Sequence, residues 1–235
     1  MRAYQPVSMN ARFENGELPE TKRHLVDAGV ALMRQKGYTA TTVDDICAAA
    51  KVTKGAFFHY FKSKEDVARA ALQRFGYGKD QDLHDAPFRK LADPLDRVYG
   101  RLEFIMESMG GDSQVTKGCL IGMIAQELAF TNPEFRALCH ELFVRLANDF
   151  AADLAAAKAV HVPGADFDPE KLALFFTSIF QGSSLLAKVS GSNAVLQDNI
   201  QQYRRYVEFL FTPAKAGGRP AEIAQPAEAL DLAFD

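Results

Sequence analysis

The sequence predicts an all-α protein, and three observations lead there. Apolar residues recur at the helical period of 3.6 along most of the chain. Asp93-Pro94, Asn132-Pro133 and Asp168-Pro169 each place a capping side chain before a proline suited to a first helical turn. No stretch shows the period-two alternation of a strand. The expected organisation is a three-helix helix-turn-helix unit over residues 19–78 and a larger helical unit over 79–211. An arm at 1–18 and a tail at 212–235 flank them.

The arm has no sustained period and contains Pro6, Asn10, Asn15 and Gly16, a flexible composition in which Arg2 and Arg12 fit either an idle terminus or contacts to DNA. Pro19 opens the first helix, which carries Leu25, Ala28, Gly29, Leu32 and Met33 inward and ends near Gly37. Val43, Ile46, Cys47 and Ala50 then share one helical face behind Thr42, with Asp45 completing a capping box. Lys51-Val52 interrupts that helix, and Thr53 caps the next. There Phe57 and Phe61 face the core, leaving Lys54, Gly55, Phe58, His59 and Tyr60 on other faces.

Ser63 caps a further helix with Val67, Ala70, Ala71 and Phe75 inward, expected to stop at Gly76 and Gly78, and 79–90 reads as a polar connector with Pro87. Helices are then predicted near 94–109, 118–131, 133–160, 169–189 and 193–211. The last two carry wide apolar stripes, Leu172, Phe175, Phe176, Ile179, Phe180, Ser183, Leu186 and Ala187 on one, and Leu196, Ile200, Tyr203, Val207 and Leu210 on the other. From Thr212 onward Pro, Gly and Ala dominate, as in a disordered tail.

At 235 residues and 48% apolar content the chain can bury one or two cores. No uninterrupted apolar run approaches the ~18 residues of a membrane span, and the N-terminus lacks a signal-peptide pattern, so a cytoplasmic site is expected. Cys47, Cys119 and Cys139 have no metal-ligand spacing, and neither a structural metal nor a disulfide framework is expected. The net charge of −3 is unevenly spread: residues 1–78 hold 12 Lys and Arg against 8 Asp and Glu, the remainder 15 against 22. A basic end on an acidic body suits one module that meets phosphate and one that does not.

Thr42, Ala48 to Val52, Thr53, Gly55, Phe57, Phe58, Tyr60, Phe61, Ser63, Lys64 and Glu65 stand at the spacing of a known hallmark. Over Pro19 to about Phe75 the chain resembles the DNA-binding end of the TetR-type one-component regulators. The resemblance implies a C-terminal ligand-binding and dimerisation domain, its last two helices pairing with their copies through Gly182, Ser183 and Ser184; burial in a monomer core is the alternative for those stripes. A recognition helix on this scaffold implies that Lys54, Gly55, His59 and Tyr60 meet the major groove of a palindromic operator while Thr42, Thr53 and Lys64 position its backbone. Phe58 stands where a tyrosine is frequent and is expected to pack.

Catalytic constellations are missing: there is no G-x-S-x-G, no phosphate-cradling glycine loop and no H-E-x-x-H, and the five histidines are scattered. No cofactor is expected. The stretch Lys117-Gly118-Cys119-Leu120-Ile121-Gly122-Met123 stands out, because a thiol at a helix start gains thiolate character from the helix dipole. On that segment alone Cys119 fits a small buried hydrophobe as well. Gly118-Cys119-Leu120, Gln126-Glu127, Gly182 and Leu186 to Ser190 are similar to the family branch of the N-ethylmaleimide-responsive, electrophile-sensing repressors and to regulators of small unsaturated acids. That likeness implies that Cys119 is the sensing thiol and that Lys188 lies near it; a closed effector pocket lined by residues such as Cys119, Met123 and Phe130 is expected of a ligand-binding second domain.

The function so implied is a homodimeric DNA-binding repressor released by a small effector, either a reactive electrophile or an unsaturated acid such as acrylate or its CoA thioester. An activator or architectural DNA-binding protein without a ligand is the alternative, and an enzyme using the C-terminal pocket comes third.

Overall fold

The computed structural model describes residues 18–109 and 118–212, and these form nine α-helices and a 3-10 turn with no strand among them. The expected arm, all but Leu18, lies outside the described residues, as do Lys117 and the tail beyond Thr212.

Helix α1 (Glu20–Lys36) buries Leu25, Val26, Gly29 and Met33. Helices α2 (Val43–Ala50) and α3 (Lys54–Tyr60) are the two arms of the helix-turn-helix. Thr42 and Asp45 cap α2 reciprocally, and Thr53 accepts from the Ala56 N–H at the mouth of α3. Between them Lys51 adopts the left-handed conformation, φ 56° and ψ 42°. Ser63 caps α4 (Lys64–His84).

That helix passes straight through Gly76 and Gly78, where a stop was expected, and consumes half of the expected connector. Gly76 is a packing residue: a Cβ there would come within 2.6 Å of Leu142 Cδ2, so its missing side chain lets α4 lie against α7. The rest of the connector holds the 3-10 turn Pro87–Lys90. Helix α5 spans Pro94–Ser108, α6 Leu120–Leu128, α7 Pro133–His161, α8 Pro169–Ser190 and α9 Ala194–Leu210. Asp93, Asn132 and Asp168 accept hydrogen bonds from the first-turn N–H groups of α5, α7 and α8.

One core joins α1–α4 to α6 and the first half of α7, running from Leu25, Ile46, Phe57 and Leu72 to Cys119, Ile121, Ile124, Phe135 and Leu142. A second gathers α5, the rest of α7, α8 and α9 around Phe150, whose ring centroid lies 5.3 Å from that of Phe176. Arg101, 1% exposed, is held there by Asp149 at 2.6 Å and Asp153 at 2.9 Å.

The stripe Leu196, Ile200, Tyr203 and Val207 is buried inside this second core, so it does not face outward for a partner. Ser183 and Ser184 likewise turn inward, Ser183 Oγ accepting from Asn199 Nδ2 at 3.0 Å. What α8 and α9 expose instead is Leu174, Phe175, Leu185, Leu186, Val189, Tyr206 and Phe209, beside Gly182, whose Cβ position is open. With this face α8 is the one described helix long and apolar enough to cross a membrane, at a mean hydropathy of 1.4.

Candidate functional site: recognition helix and thiol-lined cavity

The α3 surface is built by subtraction. Phe57 anchors the helix in the core, and what remains outside is Lys54, Gly55, Phe58 and His59, with Tyr60 half-buried. Phe58 is 57% exposed, so it is not the packing residue expected; its ring only edges onto Phe57 at 5.2 Å while most of it faces solvent. A Cβ on Gly55 would meet nothing closer than Thr53 Oγ1 at 3.7 Å. Nothing inside the protein therefore requires glycine at that position. Lys54 is exposed and ion-paired with Asp44 at 2.7 Å, a surface pair weak enough to be exchanged for another partner at little cost.

Lys64, expected to position the DNA backbone, is engaged within the protein. Its Nζ donates to the carbonyls of Tyr38 at 2.9 Å and Thr39 at 3.3 Å, and sits 4.1 Å from the Tyr38 ring centroid. The helix dipole that opposes a cation at this position is thus answered by backbone carbonyls within the protein. Glu127, on α6, takes the other side of the same segment: its carboxylate accepts the Tyr38 N–H at 2.8 Å and the Thr39 N–H at 2.7 Å. Burial pushes that carboxyl up, but the bonds from Thr39 and Tyr38 and the Lys64 cation hold it below the ordinary range. Gly37 adjoins it with φ 86°, and a Cβ there would come within 2.7 Å of Glu127 Oε1.

At the opposite end of α6, Cys119 is the N-cap residue, in extended backbone and buried. It lines a partly open cavity of about 460 Å³ walled by α1, α4, α5, α7 and α8. Arg34 of α1 reaches across to donate from Nε to the Gly118 carbonyl at 3.1 Å. Lys188 of α8 packs against Gly118 from outside the cavity lining, 2.8 Å from where a Cβ would stand, and points Nζ at Met123 Sδ, 3.0 Å away. Burial lowers the Lys188 ammonium, Arg34 lowers it further, and the Cys119 sulfur acts the other way. Cys119, Lys188, Arg34 and Met123 are thus gathered around one turn.

Burial pushes the Cys139 thiol up to about 11, and burial with Asp44 pushes Cys47 up. Both are held as thiols. Phe130 is corrected by the structure: α6 ends at Leu128, and Phe130 stands 100% exposed in the following turn, away from the cavity. Met123 touches Lys188 but is not part of the wall. The wall includes residues that the sequence did not single out, Arg34, Arg101, Phe104, Phe143 and Phe150, beside Phe75, Phe176 and Phe180, which it placed on apolar stripes. Arg101 left a trace in the sequence, a charge at an inward position of α5 beside Val98 and Leu102. Arg34 left none, since its partner is 84 residues away. Among the described residues no group of three or more His, Cys, Asp or Glu is placed to hold a metal.

Residues 25–71 match the family of bacterial regulatory proteins of the tetR type, and residues 94–202 match the C-terminal domain of LmrA/YxaF-like transcriptional regulators. The transcriptional regulator AcuR of Cereibacter sphaeroides is 31% identical over 165 residues, covering 70% of this chain and 75% of that protein. The transcriptional repressor NemR of Escherichia coli is 23% identical over 195 residues, covering 83% and 96%. A crystal structure of the regulatory protein TetR from Rhodobacter sphaeroides superposes with a TM-score of 0.71 at 28% identity, covering 83% of this chain and all of that one. The relatives are transcriptional regulators and not enzymes. With a helix-turn-helix, a second all-helical unit and these matches over most of its length, the chain belongs to the TetR family of bacterial transcriptional regulators.

Proposed function

We propose that the protein is a homodimeric, cytoplasmic repressor that holds a palindromic operator through α2 and α3 and releases it when an effector occupies or modifies the Cys119 site. One recognition helix reads only a few base pairs, so two are needed, and the exposed apolar face of α8 and α9 is the surface that would join them. Lys54, Gly55, His59 and Tyr60 face the bases, and Thr42 and Thr53 the backbone.

The observation that carries the proposal is the placement of α6. Its first turn begins at Cys119, in the cavity wall, and its last holds Glu127, which grips the segment leading into α2. A nine-residue helix is ~13 Å long and stiff, so displacement at Cys119 is delivered to Tyr38 and Thr39. Helix α4, which lines the same cavity with Phe75 and Leu83, supplies a second route. A hundredfold loss of operator affinity needs only about 2.7 kcal/mol of preference for the non-binding state. One new bond between helices can supply that.

The effector is an electrophile that adds to the Cys119 sulfur or an unsaturated acid held beside it. The test is to select tight-binding duplexes from a random pool, confirm their dyad symmetry, and titrate the complex with a maleimide, a quinone, acrylate and acryloyl-CoA. Release by at least one is the outcome expected. An operator complex indifferent to all of them, with or without dyad symmetry, would instead describe a ligand-free DNA-binding protein.

A further inference from the structure

Phe75, Phe104, Phe143, Phe150, Phe176 and Phe180 all line the cavity beside Cys119. Its volume of about 460 Å³ lies within the ~300–1,000 Å³ of pockets that bury drug-sized ligands, far more than a three-carbon acid fills. Four charged side chains share the wall, Arg34, Lys79, Asp82 and Arg101. Lys79 and Asp82 answer each other at 2.8 Å. Two guanidiniums remain.

Arg101 commits Nη2 to Asp149 and Asp153 and has a buried Nε without a hydrogen-bond partner. Arg34 pairs with no carboxylate among the described residues: beyond its bond to the Gly118 carbonyl, its guanidinium lies over the Phe75 ring at 5.3 Å. Burial lowers its affinity for a proton, and the neighbouring Cys119 sulfur acts the other way. A half-buried guanidinium without a carboxylate partner, beside a wall of phenylalanine rings, favours a ligand that brings an anionic group and a ring.

We infer that the cavity takes an aromatic monoanion, such as an aryl-substituted carboxylate, its ring among the phenylalanines and its charge on Arg34. This rests on the cavity being the effector site. The rings offer edge and offset-stacked contacts, and the guanidinium fork matches a carboxylate in two parallel hydrogen bonds. Arg101, already facing two carboxylates, is the weaker attractor. Because Arg34 belongs to α1, an anion bound there competes with the Gly118 carbonyl for the guanidinium and acts directly on the contact between the helix-turn-helix unit and the start of α6.

Calorimetric titration of the full-length protein separates the contributions. The probes are 3-phenylpropionate, which cannot add to a thiol; its neutral amide; and acrylate, which has the charge without the ring. The acid is expected to bind at least about tenfold more tightly than either, the scale of one charge-assisted hydrogen bond. Arg34→Met should erase the preference for acid over amide while still binding the amide, and Arg34→Lys should retain part of it. Equal binding of acid and amide, no binding of the acid, or a preference that survives in Arg34→Met overturns the inference. Should Arg34→Met fail to fold by circular dichroism, the wild-type comparison decides. Operator release is measured on the same samples. Selective acid binding without release would overturn the effector role alone; release by maleimide without acid preference would overturn this inference alone.

Discussion

The carboxylate of Glu127 accepts the backbone N–H of Tyr38 at 2.8 Å, joining residues 89 positions apart. The same loop offers its Tyr38 and Thr39 carbonyls to Lys64. Donors of the α1–α2 loop are therefore held by α6 and acceptors by α4, so the entry to α2 is set by two helices that both reach the Cys119 cavity.

Replacing Glu127 by Gln leaves one acceptor and turns an amide NH2 group toward a backbone donor. A loss of about 1–3 kcal/mol is expected, read as a fall in Tm of several degrees. The carboxyl sits below its ordinary value in the folded state, so its contribution is full above that ordinary value and fades as pH falls through the folded one. The gap in Tm between parent and variant should accordingly be widest at neutral pH and narrow below about pH 4. A gap unchanged by pH would remove the charge of Glu127 from the account.

Lys64→Ala should lower Tm by about 2–4 °C, the equivalent of roughly 1 kcal/mol, through lost bonds to Tyr38 and Thr39. The salt dependence of operator binding should stay as it was, since the amine serves the protein. An unchanged Tm with a salt slope reduced by ~1 would return Lys64 to the phosphate backbone.

Local chemistry was legible and distant chemistry was not. The caps at Thr42, Thr53, Ser63, Asp93, Asn132 and Asp168 depend on residues within a few positions, and each was readable from the sequence, whereas the left-handed Lys51 followed from the family resemblance. Gly76 looked like a helix stop because its real partner, Leu142, lies on another helix. The α9 stripe was periodic, but periodicity does not say whether a stripe faces its own core or a second copy. Phe130 fell on the wrong side of the α6 terminus, and boundaries are where pattern is weakest. The links from Arg34 to Gly118 and from Glu127 to Tyr38 carry no local signature.

The exposed α8–α9 face makes a separable prediction about assembly. Phe175→Asp and Phe209→Asp alter exposed rings, 47% and 74% accessible, and should give helical monomers by sedimentation with weakened operator binding. Phe176→Asp puts a charge in the second core and should unfold the chain, since losing a buried Phe alone costs ~3–5 kcal/mol. Dimers that survive both surface substitutions would place the interface elsewhere.

Cys119 is the residue on which the proposed release from DNA depends. The measurement is the effector concentration that releases half of the operator complex, compared between the parent and Cys119→Ser for a maleimide, a quinone and acryloyl-CoA. Serine is close in size and a far weaker nucleophile, and burial holds Cys47 and Cys139 as thiols, so the variant should stay on DNA at concentrations that release the parent. Release of Cys119→Ser at the same concentrations as the parent would contradict the account and leave Cys119 as a packing residue at the head of α6.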